Sequence, residues 1–272
     1  MSASEGPIRS ALYRFYYRAE TLIARGLRSS QYAYYEKLRS ALSKTSRWLD
    51  LGCGHQVFAD WMTGEQQQVI ENSGTVVGID LDWPGLRQHA GIQKKIFGDL
   101  THLPFRSSSF DVVSANMVME HLPQPSGVLT EVRRILSPRG LFVFHTPNYY
   151  HWGTLIAVHL PERLKKLLIR FFEQRREEDV FPTYYRINTA AAVRRLAEQC
   201  GFHVVELTLV SSSATLVMFG PVVLLELLFI RLIQHSTFAN LRSNLVVVLR
   251  KDGPDTRSAP TSSGAGAVAS SG

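Results

Sequence analysis

Between Arg47 and Thr146 the chain repeats one pattern, a short apolar run, mostly closing on Gly or Asp, followed by a longer connecting segment. The runs are RWLDLG (47–52), TVVGIDL (75–81), KKIFGDL (94–100), FDVVSAN (110–116) and GLFVFHT (140–146). Short β-branched runs in this alternation mean βαβ units around a parallel sheet covered on both faces. Crossover helices are expected at 57–71, 84–91 and 125–137. The stretch 101–108 is short enough to be a loop, and Pro138-Arg139-Gly140 is expected to turn the chain out of the last helix. Two more strands, HVVELTLV (203–210) and NLVVVLR (244–250), follow an amphipathic helix at 188–200 that Asn188 or Thr189 caps and Gly201 stops.

The rest of the chain decorates this sheet. Residues 8–44 read as one or two helices interrupted at Gly26, which makes 1–45 an N-terminal helical arm and 46–250 the main domain. Insertions at 147–187 and 211–240 are expected to act as lid and acceptor elements, and 251–272, with one Val as its only large apolar residue, as a disordered tail. A chain of 272 residues fits one such α/β domain. Its two cysteines exclude a disulfide framework and suit a reducing compartment. The N-terminus lacks the apolar core and cleavage site of a signal peptide, so a cytoplasmic location is expected. Net charge is +7, unevenly placed: residues 1–47 carry nine Lys/Arg against three Asp/Glu, residues 48–147 seven against ten. An acidic centre with basic flanks is not the build of a uniformly basic nucleic-acid binder.

Chemistry concentrates at the ends of the first four runs. In WLDLGCGHQ (48–56) Asp50 precedes Gly52 and Gly54, which let a ligand approach the backbone closely, and the next helix is expected to point its N-terminus at that ligand. Asp80, thirty residues after Asp50, closes the second run, where a carboxylate can accept from both hydroxyls of a ribose; Asp82 is an alternate. Asp99 and Leu100 close the third, on the same sheet edge. A dinucleotide loop needs a third glycine where Val57 stands, which argues against a nicotinamide cofactor.

In this order and spacing LDLGCG, GIDLD, GDLTHLPF, SFDVVSANMVMEHL and LSPRGLFVFHTPN resemble class I S-adenosylmethionine-dependent methyltransferases, with the texture of the small-molecule branch that includes type 11 and quinone-precursor enzymes. The resemblance covers about residues 46–148. It implies a Rossmann-like, seven-stranded, mostly parallel sheet with the last strand antiparallel, binding S-adenosylmethionine over the first two strands. It also implies that Asp50, Gly52 and Gly54 hold the methionyl end, Asp80 the ribose, Asp99 and the Leu100 backbone the adenine, and that Asn116 and Met117 line the floor. Gln56 stands where the family often has another glycine. The fourth run does not end in the Asn/Asp-Pro-Pro-aromatic motif of amino-methylating nucleic-acid enzymes.

A methyltransferase acting on hydroxyl or acidic carbon needs a base, and His121 and His145 are the catalytic candidates, with Glu120 and His151 nearby. Tyr149, Tyr184, Tyr185 and Arg186 are candidate contacts to a small apolar, phenolic or lipid-like acceptor. No His or Cys spacing calls for a metal. PERLKKLLIRFF (161–172) reads as a basic amphipathic helix, either a lid or an element at a membrane surface. The stretch 214–233 is long enough to cross a bilayer, but Gly220-Pro221 breaks it and Glu226 and Arg231 would each cost roughly 2.5–3.5 kcal/mol inside, so a transmembrane helix is rejected. Residues 222–233 are left three readings: packed under a lid, paired in a dimer, or dipped into a membrane surface, with the oligomeric state open. Two rivals remain: an RNA methyltransferase using Arg14-Phe15-Tyr16-Tyr17-Arg18, and a non-catalytic partner protein of this fold.

Overall fold

The computed structural model describes residues 7–160 and 181–252. The lid or membrane helix expected at 161–172 and the tail from 253 lie outside the described residues. In chain order the elements are α1 (Pro7–Ile23), α2 (Ser30–Ala41), β1 (Arg47–Leu51), α3 (Thr63–Glu71), β2 (Thr75–Asp80), α4 (Trp83–Gln88), β3 (Lys94–Phe97), β4 (Phe110–Asn116), α5 (Pro125–Ile135) and β5 (Leu136–Pro147). There follow α6 (Trp152–His159), α7 (Ala190–Gln199), β6 (Phe202–Val210), α8 (Val223–Ile233) and β7 (Asn244–Lys251).

All seven expected strands form one sheet in the order β3-β2-β1-β4-β5-β7-β6. β1, β2, β3, β4 and β5 pair in parallel, and β7 runs antiparallel to both neighbours. Successive side chains of β1 face opposite cores. Leu49 and Leu51 face a core built with α5 and α7 through Val128, Leu129, Val132 and Val193, while Trp48 faces a second core with Tyr34 and Leu38 of α2, Val69 of α3 and Leu86 of α4. The result is a sheet with helices on both faces. α7 begins at Thr189, whose Oγ1 accepts from the Ala192 N–H at 3.1 Å, and ends at Gly201 with φ +70°, as its sequence requires.

Four expectations change. The segment after the second glycine does not enter a helix directly: residues 52–62 are irregular and α3 starts at Thr63. Val57, Phe58 and Met62 are buried in the second core, which an irregular path permits and an exposed helical turn would not. α4 ends at Gln88 rather than 91. Pro138-Arg139-Gly140 is no helix exit but an excursion near the start of β5, where the register to β4 shifts. Gly140 is required there, because a β-carbon would stand 2.9 Å from the Ser137 carbonyl. The expected arm divides in two. α2 belongs to the sheet's own core, whereas α1 packs through Tyr16 and Ala19 against Val217, Val223, Leu227 and Ile230 in a third, separate cluster.

That cluster buries one face of the apolar stretch 214–233. Its 18-residue window has a mean hydropathy of 2.3, yet it is not one straight helix: a 3-10 segment, Leu216–Val222, kinked at Gly220 (φ +58°, ψ −123°), precedes α8. Glu226 points inward, where its carboxylate accepts from the Thr215 N–H at 2.9 Å, the Leu216 N–H at 2.7 Å and the Thr215 hydroxyl at 2.8 Å. Those backbone donors open the 3-10 segment, so the acid caps one element from within the next.

Candidate active site

The C-terminal ends of β1, β2, β3 and β4 converge on one edge, where open α/β sheets take their ligands. Gly52 and Gly54 both have positive φ, +61° and +48°. They differ in what lies behind them. A β-carbon on Gly52 would stand 2.5 Å from Val118 Cγ2, whereas one on Gly54 would meet nothing within 4 Å. Gly52 is thus required by packing, and Gly54 keeps an open cradle above the backbone. The Gly54 N–H donates to Asp80 Oδ2 at 2.7 Å, and the Asp82 N–H donates to Asp80 Oδ1 at 2.7 Å. Asp80 is therefore fixed between the loop and the exit of its own strand, each oxygen keeping acceptor capacity toward the cradle.

Asp50 lies beneath, 1% exposed. It accepts a short hydrogen bond from the Ser114 hydroxyl, which in turn accepts from Trp48 Nε1 at 2.7 Å. Burial, with the charge of Asp80 adding to it, lifts the Asp50 carboxyl to about 7, against the pull of the Ser114 bond. Such an acid favours a cationic group arriving nearby. Cys53 between the glycines is a buried packing residue over Gly78, its thiol pushed up by burial.

Asp99 lies at the third strand end with half its side chain exposed. It accepts from the Thr101 N–H at 2.9 Å and the Thr101 hydroxyl at 2.6 Å, bonds that hold its carboxyl below its ordinary range. Leu100 is buried. Leu81, Trp83 and Phe97 are each more than half exposed around this edge, Trp83 and Phe97 edge to face at 6.1 Å. Sequence reading passed over this aromatic pair, although an exposed Trp directly after the Asp80-Leu81-Asp82 turn is a usable signal.

Asn116 ties the floor together. Its Nδ2 donates to the Val57 carbonyl at 2.8 Å and to Gln31 Oε1 at 2.9 Å, while its Oδ1 accepts from Gln31 Nε2 at 3.3 Å. His145 Nδ1 lies 2.8 Å from the same Oδ1. Gln31 of α2 was invisible to motif reading because it lies eighty-five residues from its partner. His145 is 1% exposed and stacked on Tyr34, and burial lowers it to about 3, so it is a neutral ring behind the floor with no face toward an acceptor.

His121 lies elsewhere, on a 3-10 turn, Met119–His121, after β4. Its Nδ1 is 2.9 Å from the Pro182 carbonyl, which can only accept, so Nδ1 carries the hydrogen and Nε2 is free in the neutral ring. That Nε2 is 3.9 Å from Glu120 Oε1. Glu120 is 3% exposed and raised by burial; its Oε2 accepts from the Thr146 hydroxyl at 2.9 Å, which accepts from Asn188 Nδ2 at 2.7 Å. The backbone N–H groups of Tyr184 and Tyr185 donate to the Glu120 carbonyl at 2.7 and 3.2 Å. This brings the candidate acceptor residues together: the Tyr149 ring is 6.4 Å from that of Tyr185 and 5.8 Å from that of Tyr150, and Phe181 is 6.1 Å from His121. Arg186 is exposed beside them. No cluster of three or more His, Cys, Asp or Glu suited to a metal occurs among the described residues.

The profile of a methyltransferase-domain family matches residues 23–207, and so includes α2 and the five parallel strands, but not β7. Among curated proteins the chain is 29% identical over 168 residues to a ubiquinone biosynthesis O-methyltransferase of Thiobacillus denitrificans, covering 59% of this chain and 66% of that one. It is 30% identical over 106 residues to a demethylmenaquinone methyltransferase of Lactiplantibacillus plantarum (36% and 43%), and 29% over 133 residues to a sterol 24-C-methyltransferase of Schizosaccharomyces pombe (45% and 32%). The chain thus spans two thirds or less of the length of these relatives. In fold it is similar to an S-adenosylmethionine-dependent methyltransferase of Mesorhizobium loti, at a TM-score of 0.52 and 20% identity over 80% of this chain and 98% of that one. It is equally similar to the [4+2]-cyclase SpnF, at 0.51 and 13% over 93% and 100%.

Proposed function

The chain belongs to the methyltransferase-domain family, and from that premise we propose that it moves a methyl group from S-adenosylmethionine to an oxygen or carbon of a small apolar, phenolic or lipid-like acceptor. A likeness that extends to a cyclase means the fold alone does not choose the reaction. The observation that carries the reading is the open cradle at Gly54, with Asp80 bonded to it and a buried Asp50 beneath. The loop also lacks a helix N-terminus directly after its glycines, the device that would favour a pyrophosphate.

In this reading Asp50, Gly52 and Gly54 hold the methionyl end, Asp80 the ribose hydroxyls and the Asp99–Leu100 turn the adenine, over the floor made by Asn116. When bound, S-adenosylmethionine supplies an electrophilic methyl on a sulfonium, leaving as a thioether. The chain's own part is positioning and proton handling. His121 Nε2 accepts the proton that a hydroxyl acceptor gives up as its oxygen takes the methyl, and the Glu120 carboxyl, held by Thr146, stabilises the charged ring. The rings of Tyr149, Tyr185 and Phe181 supply an apolar seat for the acceptor. Names of the relatives, quinone-pathway and sterol methyltransferases, support a lipid-like class. Two free cysteines suit the cytoplasm as the place of reaction.

Calorimetric titration with S-adenosylhomocysteine tests the cofactor, and absence of binding to the folded wild type would remove it. Incubation with methyl-labelled cofactor and fractionated cell extract tests the acceptor: label is expected in the lipid or small-molecule fraction, and label confined to RNA or protein would overturn the class.

A further inference from the structure

α1 and the segment Leu216–Ile233 form an appendage whose inward faces are filled and whose outward faces are largely apolar. Inward lies the third core cluster. Outward, Ile8, Phe15 and Leu22 of α1 are 77%, 40% and 70% exposed, and their seven-residue spacing sets them along one stripe. Arg14, Arg18 and Arg25, also exposed, form a second stripe beside it from the helix into the turn that follows. On α8, Leu225, Leu228 and Leu232 are 68%, 55% and 51% exposed and make one ridge opposite the buried face. The only acids of the two helices do not interrupt these surfaces: Glu226 is turned inward onto Thr215 and Leu216, and Glu20 is half-buried.

We propose that this appendage docks the protein on an anionic lipid bilayer, with the α8 leucine ridge and the α1 apolar stripe in the interface and the arginines among lipid phosphates. Charge selects this occupant: apolar and arginine stripes side by side, with no exposed carboxylate on either helix, match an anionic interface. A second copy docked through the same patch would bring two arginine stripes together. Geometry selects lying over crossing. The eleven residues of α8 span about 16 Å at 1.5 Å each, roughly half a hydrocarbon core, and Gly220 turns the chain away before they begin. Docking of this kind does not depend on which acceptor is methylated, and α2, which starts seven residues after α1 ends, carries the Gln31 that bonds to the site floor.

The test is vesicle flotation of the full chain with phosphatidylcholine alone and with phosphatidylglycerol added. Wild type is expected to float with the anionic vesicles only, and more weakly as salt rises. Leu225→Asp/Leu228→Asp is expected to stay in the soluble fraction. Arg14→Ala/Arg18→Ala is expected to lose roughly fivefold in partition per arginine. Both variants alter exposed positions, and unchanged binding of S-adenosylhomocysteine serves as the check that they fold. A wild type that binds S-adenosylhomocysteine but stays soluble would overturn the docking and leave the methyltransferase reading intact. Equal flotation with neutral vesicles, or a dimer in sedimentation that Leu225→Asp/Leu228→Asp dissolves, would overturn it too.

Discussion

Asp80 Oδ2 accepts the Gly54 N–H at 2.7 Å, so the acid at the end of β2 shapes the glycine loop after β1. The two strands are adjacent and parallel, with Leu51 opposite Ile79, which is what brings a residue twenty-six positions away within reach. Asp80→Ala removes the loop bond and, in the proposed reading, the acceptor for the ribose hydroxyls. Charge-assisted bonds are worth about 1.5–3 kcal/mol each, so S-adenosylhomocysteine affinity is expected to fall by tenfold or more in calorimetry. Undiminished affinity would contradict the assignment.

The two loop glycines are expected to fail differently. Gly54→Ala costs only the left-handed backbone, about 1–2 kcal/mol, because nothing lies within 4 Å of the new methyl; it is expected to fold but to bind S-adenosylhomocysteine poorly. Gly52→Ala carries the same backbone cost plus the collision with Val118, about 1–3 kcal/mol more, and Val118→Ala is expected to restore part of it. Thermal melts of the three variants separate the cases.

Asp50 gives stability a pH dependence of definite sign. Its carboxyl titrates near 7 when folded, up from 3.8. The folded state therefore holds a proton that the unfolded state has lost, and this contribution is full below about pH 4 and disappears as pH rises through 7. Buried His145, lowered to about 3, works the other way and costs stability on acidification below its ordinary range. Urea melts of wild type and Asp50→Asn isolate the first effect: the wild type's advantage over the variant should shrink between pH 4 and 7. A constant offset would mean that Asp50 titrates normally.

Glu226→Ala leaves the Thr215 and Leu216 donors without their acceptor. Loss of these bonds is expected to cost about 1–3 kcal/mol, felt locally. Hydrogen exchange over 214–222 should speed up and proteolysis there should increase, while S-adenosylhomocysteine binding is retained, since the third core cluster shares no residue with the cradle.

The sheet was legible because its strands are short apolar runs set between longer connecting segments, and the acids at or near the ends of the first three are local features of those runs. Residue contacts that depend on distant pairing were not. Gln31 against Asn116, Glu120 under Thr146 and Asn188, and Glu226 over Thr215 each join segments whose approach is set by packing. The late start of α3 was missed for a related reason: Val57, Phe58 and Met62 have helix-compatible spacing, and their burial in the second core overrides it. Glu226 and Arg231 read as costs of a membrane span, yet one serves as an internal cap and the other lies exposed on α8.

The amide pair between Gln31 and Asn116 also fixes where the working unit begins. A fragment cut at Arg47 would keep every strand-end acid and both loop glycines, and so the motifs legible in the sequence. It would lack the side chain that closes the floor beside Val57, and the Tyr34 ring that covers His145. Trimming to the recognisable motifs would leave a vessel with its wall removed, and an inactive fragment of that kind would say nothing about the chemistry of the whole.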